Sequence, residues 1–230
     1  MAHPLDNPLW SALTGPQAQL ALRHGRAARF PADVSPFAAT ADLDGGWDDL
    51  AVLAGEGGTV LVPDGPAVPP PGWDLAATVP GVQMDGTALD VGADPEAVRL
   101  GPADVPEMLD LVARTQPGPF LPRTIVLGTY LGIRRAGALV AMAGERMRPA
   151  GWCEISAVCT DPAHRGQGLA DRLVRAVGAV VRERGDVPFL HTTADNVAGI
   201  RLYDKLGFTL RREILFVALT APAGVVAPAR

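Results

Sequence analysis

The residues from Val158 to Ala170 carry the strongest chemical signal in this chain. They read Val-Cys-Thr-Asp-Pro-Ala-His-Arg-Gly-Gln-Gly-Leu-Ala. An apolar strand runs into a tight loop bearing Gly166 and Gly168, and an amphipathic helix follows at once. At a helix N-terminus the first backbone N–H groups lack intrahelical partners, and the helix dipole favours negative charge there. Glycines in the loop let the backbone approach a ligand closely. This order predicts a cradle for a pyrophosphate, with Arg165 adding a charge-assisted contact. Alone the loop is a weak signal, because any strand-to-helix turn can require glycine. A second block, Asn196-Val-Ala-Gly-Ile-Arg-Leu-Tyr-Asp-Lys-Leu-Gly-Phe208, sets a helix cap, Tyr203 and a terminating glycine in register.

Together the two blocks resemble the GCN5-related N-acetyltransferase (GNAT) superfamily. Its loop pattern, Arg/Gln-x-x-Gly-x-Gly/Ala, is met by Arg165, Gly168 and Ala170. The wording from His191 to Asn196 and from Leu202 to Phe208 is similar to the FR47-like members. The resemblance implies acetyl-CoA as co-substrate, no metal, and direct attack of an acceptor amine on the thioester. Val158, Cys159 and Thr160 then match the strand that splays from its parallel neighbour and offers backbone groups to the pantetheine arm. The Val158 N–H is the implied donor to the thioester oxygen.

Arg165, Gly166, Gln167, Gly168, Leu169 and Ala170 match the pyrophosphate loop. Gln167 stands where many relatives carry Lys or Arg, which leaves the phosphates one cation fewer. Asn196 matches a residue that bonds the pantetheine or orders its helix. Tyr203 matches the acid that protonates the departing thiolate; a phenol keeps its proton at neutral pH and can donate it to a basic sulfur. Glu154 is the expected general base. Its even spacing from Val158 puts the two on one strand face. Asp195 and His191 are lesser candidates; His164 is expected to be a solvated turn histidine, the alternative being a phosphate contact. Phe120, in Pro117-Gly-Pro-Phe-Leu-Pro122, falls where relatives place a mobile loop over the acceptor. Two other readings compete: a CoA-binding regulatory module without catalysis, and an acyltransferase using a longer acyl-CoA. A broken phosphate loop or a missing tyrosine would mark the first, and neither is seen.

Composition narrows the partners. The formal net charge of −5 over 230 residues gives no electrostatic reason to expect a nucleic-acid partner. The acceptor is expected to be a small-molecule or peptide amine. Cys153 and Cys159 are the only cysteines. Six residues apart on one strand, they are expected on one face and about 20 Å apart, too far for a mutual disulfide. Reduced thiols suit a cytoplasmic protein. The N-terminus lacks a basic and an apolar signal segment. The uncharged stretch from Ile214 to Ala229 is broken by Pro222, Gly224 and Pro228, so no membrane span is expected. Many relatives form homodimers, but no residue here forces one.

The elements that must position these groups point to an α/β (α+β) protein with the GNAT fold: a mixed central sheet flanked by helices. Three segments are expected: an N-terminal α+β unit over 1–95, a GNAT domain over 96–220 and a tail over 221–230. The first unit is expected to shape the acceptor pocket or to be a degenerate GNAT-like half, its Trp residues serving as core anchors. Within it a helix is expected over Ser11–Arg29, strands over Asp49–Ala54 and Thr59–Val62, and loop over Pro63–Gly81. From Ala97 the patterns predict a β-α-β-β-β-α-β-α-β order. Its amphipathic helix covers Gly168–Arg184, and a second helix is capped by Asn196 and closed by Gly207.

Overall fold

The computed structural model describes residues 3–42 and 45–224. In chain order its elements are α1 (Pro8–Thr14), β1 (Leu22–His24), β2 (Ala27–Arg29), β3 (Ala38–Thr40), α2 (Trp47–Ala54), β4 (Thr59–Pro63) and β5 (Asp74–Asp85). There follow β6 (Val98–Arg99), α3 (Val105–Thr115), β7 (Tyr130–Arg135), β8 (Ala138–Glu145), β9 (Trp152–Thr160), α4 (Leu169–Glu183), β10 (Val187–Thr193), α5 (Val197–Leu206) and β11 (Thr209–Thr220). From Val98 onward this is the expected order.

Strands β1 to β3 form a small sheet, and the other eight form one mixed sheet in the order β4-β11-β5-β10-β9-β8-β7-β6. Helices α4 and α5 cover one face, where Leu173, Val177 and Leu206 pack on Ile133, Cys153 and Leu190. On the other face α3 packs Met108 and Leu111 against Tyr130, Met142 and Cys159. Beside it the N-terminal segment packs Leu9, Phe30 and Phe37 around Met147 and Phe189. Helix α4 forms because Leu169, Leu173, Val177 and Val181 recur at helical spacing and are all buried. No helix among the described residues is long and apolar enough to cross a membrane.

The N-terminal segment departs from expectation in three places. The helix expected over Ser11–Arg29 ends at Thr14 and gives way to the β1–β2 hairpin. Gly15-Pro16 stops it, because a proline pushes its preceding residue out of the α region. Asp49–Ala54 is helical, within α2; Asp48 and Asp49 sit in its first turn, where the dipole favours them. The loop expected over Pro63–Gly81 instead enters β5 at Asp74.

Strand β5 lies between β11 and β10, antiparallel to both. Pro80 is tolerated inside it because of where β10 stops. Its carbonyl accepts from Ala194 N–H at 2.9 Å, so its ring nitrogen faces the side on which β10 has just ended. The division expected near residue 95 therefore does not break the sheet, since β4 and β5 are two of its eight strands. Of the expected tail, residues 225–230 lie outside the described residues.

A bulge in β9 overturns a further expectation. Met142 pairs with Cys159 and Gly144 with Ser156, so Ala157 and Val158 together oppose Ala143. Ala157 takes φ 52°, in the left-handed region. The extra residue reverses the alternation. Cys153 packs under α4 and Cys159 under α3, on opposite faces. Val158 likewise lies on the α4 face, whereas Glu154 pairs beside Phe189 on the opposite one. Ala157→Val should destabilise the fold by about 2 kcal/mol in urea unfolding, because a β-branched residue tolerates positive φ poorly. Ala157→Gly should cost almost nothing, unlike glycine elsewhere in a strand.

Candidate active site

Strands β9 and β10 pair in parallel at only three positions, Trp152–Val187, Cys153–Pro188 and Glu154–Phe189. Beyond these they part, and a cleft of about 790 Å3 opens between them. Val158, Cys159, Thr160 and Tyr203 line its middle, and Arg165, Gly166, Gly168, Leu169, Ala170 and Asn196 line one end. The cleft thus brings together ten of the residues singled out from sequence. Gln167 is exposed and Glu154 is buried, and neither is among the lining residues.

The loop end has the geometry of an anion cradle. Gly166 and Gly168 take φ 77° and 72°, conformations open to glycine at little cost. Space around both is open, since an added Cβ would meet nothing within 4 Å. Among the described residues the N–H groups of Gly166, Gln167 and Gly168 have no acceptor in the chain. The loop's first turn is fixed by Asp161, which accepts from Ala163 N–H at 2.9 Å and from Arg114 Nε at 3.0 Å. Asn196 caps α5 through Gly199 N–H at 3.0 Å and ties it to β10 by donating to Thr192 Oγ1 at 2.8 Å.

Tyr203 is buried, yet its hydroxyl has no hydrogen-bond partner among the described residues. Burial, with Cys159 nearby, pushes its pKa up to about 12. Thr160 Oγ1 is also buried and unpartnered. Burial raises both thiols, Cys159 to about 11, so neither is an activated nucleophile.

Glu154 is not placed as a base toward the acceptor. Its carboxylate is fully buried and receives four donors. Arg146 Nε and Nη2 donate at 2.7 and 2.6 Å, Met147 N–H at 3.3 Å and His191 Nδ1 at 2.7 Å. Burial alone would raise its pKa, but Arg146 and His191 overrule that and hold it at about 2. His191 is no freer. Gln83 Nε2 lies 3.0 Å from His191 Nε2 and also donates to Leu5 O, while Arg211 Nη1 donates to Gln83 Oε1 at 2.8 Å. That orientation makes Gln83 a donor to His191, whose one ring lone pair is then occupied.

At the far end of the cleft stand Phe37, Leu61, Val79, Arg146, His191 and Phe216. Five of these, all but His191, together with Gln83 behind them, carry no site signal in the sequence, because they come from scattered elements and no local motif joins them. Phe120 is buried edge-on to Tyr130 at 5.5 Å rather than lying over the acceptor; the preceding residues Gln116 to Pro119 line the cleft instead. Trp47 and Trp73 pack on each other at 6.1 Å, away from the cleft.

Several known proteins resemble this chain. Residues 130–217 match the family described as FR47-like protein. A protein from Novosphingobium aromaticivorans assigned to the GNAT family of acetyltransferases is 42% identical, covering 96% of this chain and 100% of its own, with a TM-score of 0.89. A GCN5-related N-acetyltransferase from Kribbella flavida covers 97% of this chain and 98% of its own at 19% identity and a TM-score of 0.61, a likeness of fold. The N-alpha-acetyltransferase RimI of Mycobacterium tuberculosis is 37% identical over 82 residues, and the chain spans about half that relative, 51% of its length. The chain belongs to the GNAT family of acetyltransferases.

Glu154→Gln should cost about 3 kcal/mol at neutral pH, since it leaves the buried Arg146 guanidinium without its counter-charge. The Glu154 carboxyl titrates near 2 in the fold against an ordinary 4.5. Its contribution to stability is therefore complete above pH 4.5 and is lost as pH falls toward 2. Urea unfolding across that window should show this acid limb in the native chain and a weaker one in the variant.

Proposed function

We propose that this chain is an acetyl-CoA-dependent N-acetyltransferase that passes an acetyl group to an amine by direct attack on the thioester. The observation that carries this reading is the continuity of one cleft, from the Gly166–Gly168 loop past the parted strands to the far wall at Phe37 and Phe216. The likeness to N-alpha-acetyltransferase RimI supports nitrogen as the acceptor atom.

Each residue then has a physical task. The free N–H groups of the loop and the start of α4 hold the pyrophosphate, with Arg165 adding charge. The inner edge of β9 from Val158 to Thr160, which faces β10 without pairing to it, pairs with the pantetheine arm. The Val158 N–H donates to the thioester oxygen as negative charge develops there. As the new C–N bond forms and the C–S bond breaks, Tyr203 gives its proton to the departing sulfur. A pKa near 12 keeps that proton in place throughout the physiological range. With Glu154 and His191 engaged, the amine loses its own proton to water in the open cleft.

Calorimetric titration with acetyl-CoA, with CoA and a longer acyl-CoA in parallel, should give saturable one-to-one binding that Gly168→Trp abolishes. The absence of binding up to millimolar concentrations would end the proposal, and a preference for the longer donor would change the group transferred. Tyr203→Phe should keep acetyl-CoA affinity and slow turnover roughly 10²-fold, the size of a typical general-acid effect. An unchanged rate would remove Tyr203 from the mechanism.

A further inference from the structure

Resting on the acetyl-transfer assignment above, we infer that the acceptor is a free amino acid with a large apolar side chain, held by its carboxylate on Arg146. Arg146 is 7% exposed and lines the far end of the cleft. Two of its three guanidinium nitrogens, Nε and Nη2, are spent on Glu154. The third, Nη1, forms no hydrogen bond among the described residues and is not a sealed orphan, so its free N–H donors are open to the cleft. The guanidinium cannot turn away. It is forked onto Glu154 and lies 4.6 Å over the Phe37 ring. A nearly buried cation with one edge held toward a cavity is built to receive a planar anion such as a carboxylate.

The surroundings select the rest of the molecule. Phe37, Leu61, Val79 and Phe216 form an apolar wall, and Phe37 and Leu61 are joined as a parallel bridge. Among the described residues no carboxylate lines this end: Asp171 lines the loop end, and Glu154 is consumed by its four donors. A polyamine or a lysine-rich peptide would find no counter-charge here. Size agrees as well. Glu154 and Val158 are four residues apart on β9, at most about 13 Å. Arg146 reaches in from the Glu154 end. That span is of the size an amino acid needs to set its carboxylate on Arg146 and its amine near attack distance, about 3–3.5 Å, from the thioester carbon.

The test uses the full chain with acetyl-CoA and follows thiol release. Leucine and phenylalanine are compared with their amides, with dipeptides that begin with the same residues, with glycine and with spermidine. The two free acids should exceed their amides about 30-fold in kcat/KM, the scale of a charge-assisted hydrogen bond, and should exceed glycine as well. Arg146→Lys keeps a cation for Glu154 but loses the fork. It should lower kcat/KM about tenfold more for the acids than for the amides, which narrows the acid-to-amide ratio. The substrate comparison in the native chain stands even if that variant folds poorly. Amides or dipeptides that match the free acids, or a preference for spermidine, would overturn the carboxylate site while leaving acetyl transfer intact. Acetyl-CoA turnover accelerated by no amine at all would overturn both.

Discussion

Strands β9 and β10 exchange backbone hydrogen bonds only as far as Glu154 and Phe189. Beyond that point each is held from its outer side, β9 by β8 and β10 by β5. Buried peptide groups need partners, so the inner edges of the two strands form a slot suited to an extended polar chain. The bulge at Ala157 and Val158 adds to the separation, because an extra residue bends and twists the strand that carries it. Helices α4 and α5 follow β9 and β10 respectively, and their N-termini open beside the slot. The cradle, the slot and Tyr203 are thus consequences of one interrupted ladder.

The far side of that slot is held by a polar chain with little access to solvent. It runs from Arg211 through Gln83, His191 and Glu154 to Arg146. Each member satisfies the next, and Leu5 contributes a backbone acceptor. Such a network contributes little net stability compared with apolar packing, but removing one member leaves a buried charge or amide unmatched. Its effect is to hold geometry. It ties β5, β8, β9, β10 and β11 together at the one place where the sheet is not continuous, and it sets the tilt of the Arg146 guanidinium over Phe37. The N-terminal segment takes part in this through Leu5, Phe37 and Gln83, and so belongs to the walls of the site.

The legible parts of this protein are those where a short stretch of chain contains its own reason. Gly166 and Gly168 announce left-handed backbone, Asn196 caps, Gly207 terminates, and the spacing of Leu169, Leu173 and Val177 makes α4 amphipathic. The misread parts depend on partners distant in sequence. Strand β5 looks like loop because Pro and Gly punctuate it, and it is a strand because β11 pairs with it nearly end to end. The run Asp49–Ala54 suits either element locally; buried Leu50 and Ala51, packed in the cluster that also holds Trp73 and Val217, decide for helix. Glu154 was assigned a face by counting residues, and a single bulged residue reversed the count.

Local patterns were enough to read the glycine loop, the two helices that flank the cleft and the place of Tyr203 on the second of them, because those signals act over one or two turns of chain; the family was legible as a resemblance of those motifs. The partners of Glu154, the wall opposite the loop and the membership of β4 and β5 in the main sheet came from packing. They depend on contacts between residues far apart in the chain, such as Arg211 with Gln83 and Thr59 with Thr220, and a linear pattern carries no record of which distant groups will meet.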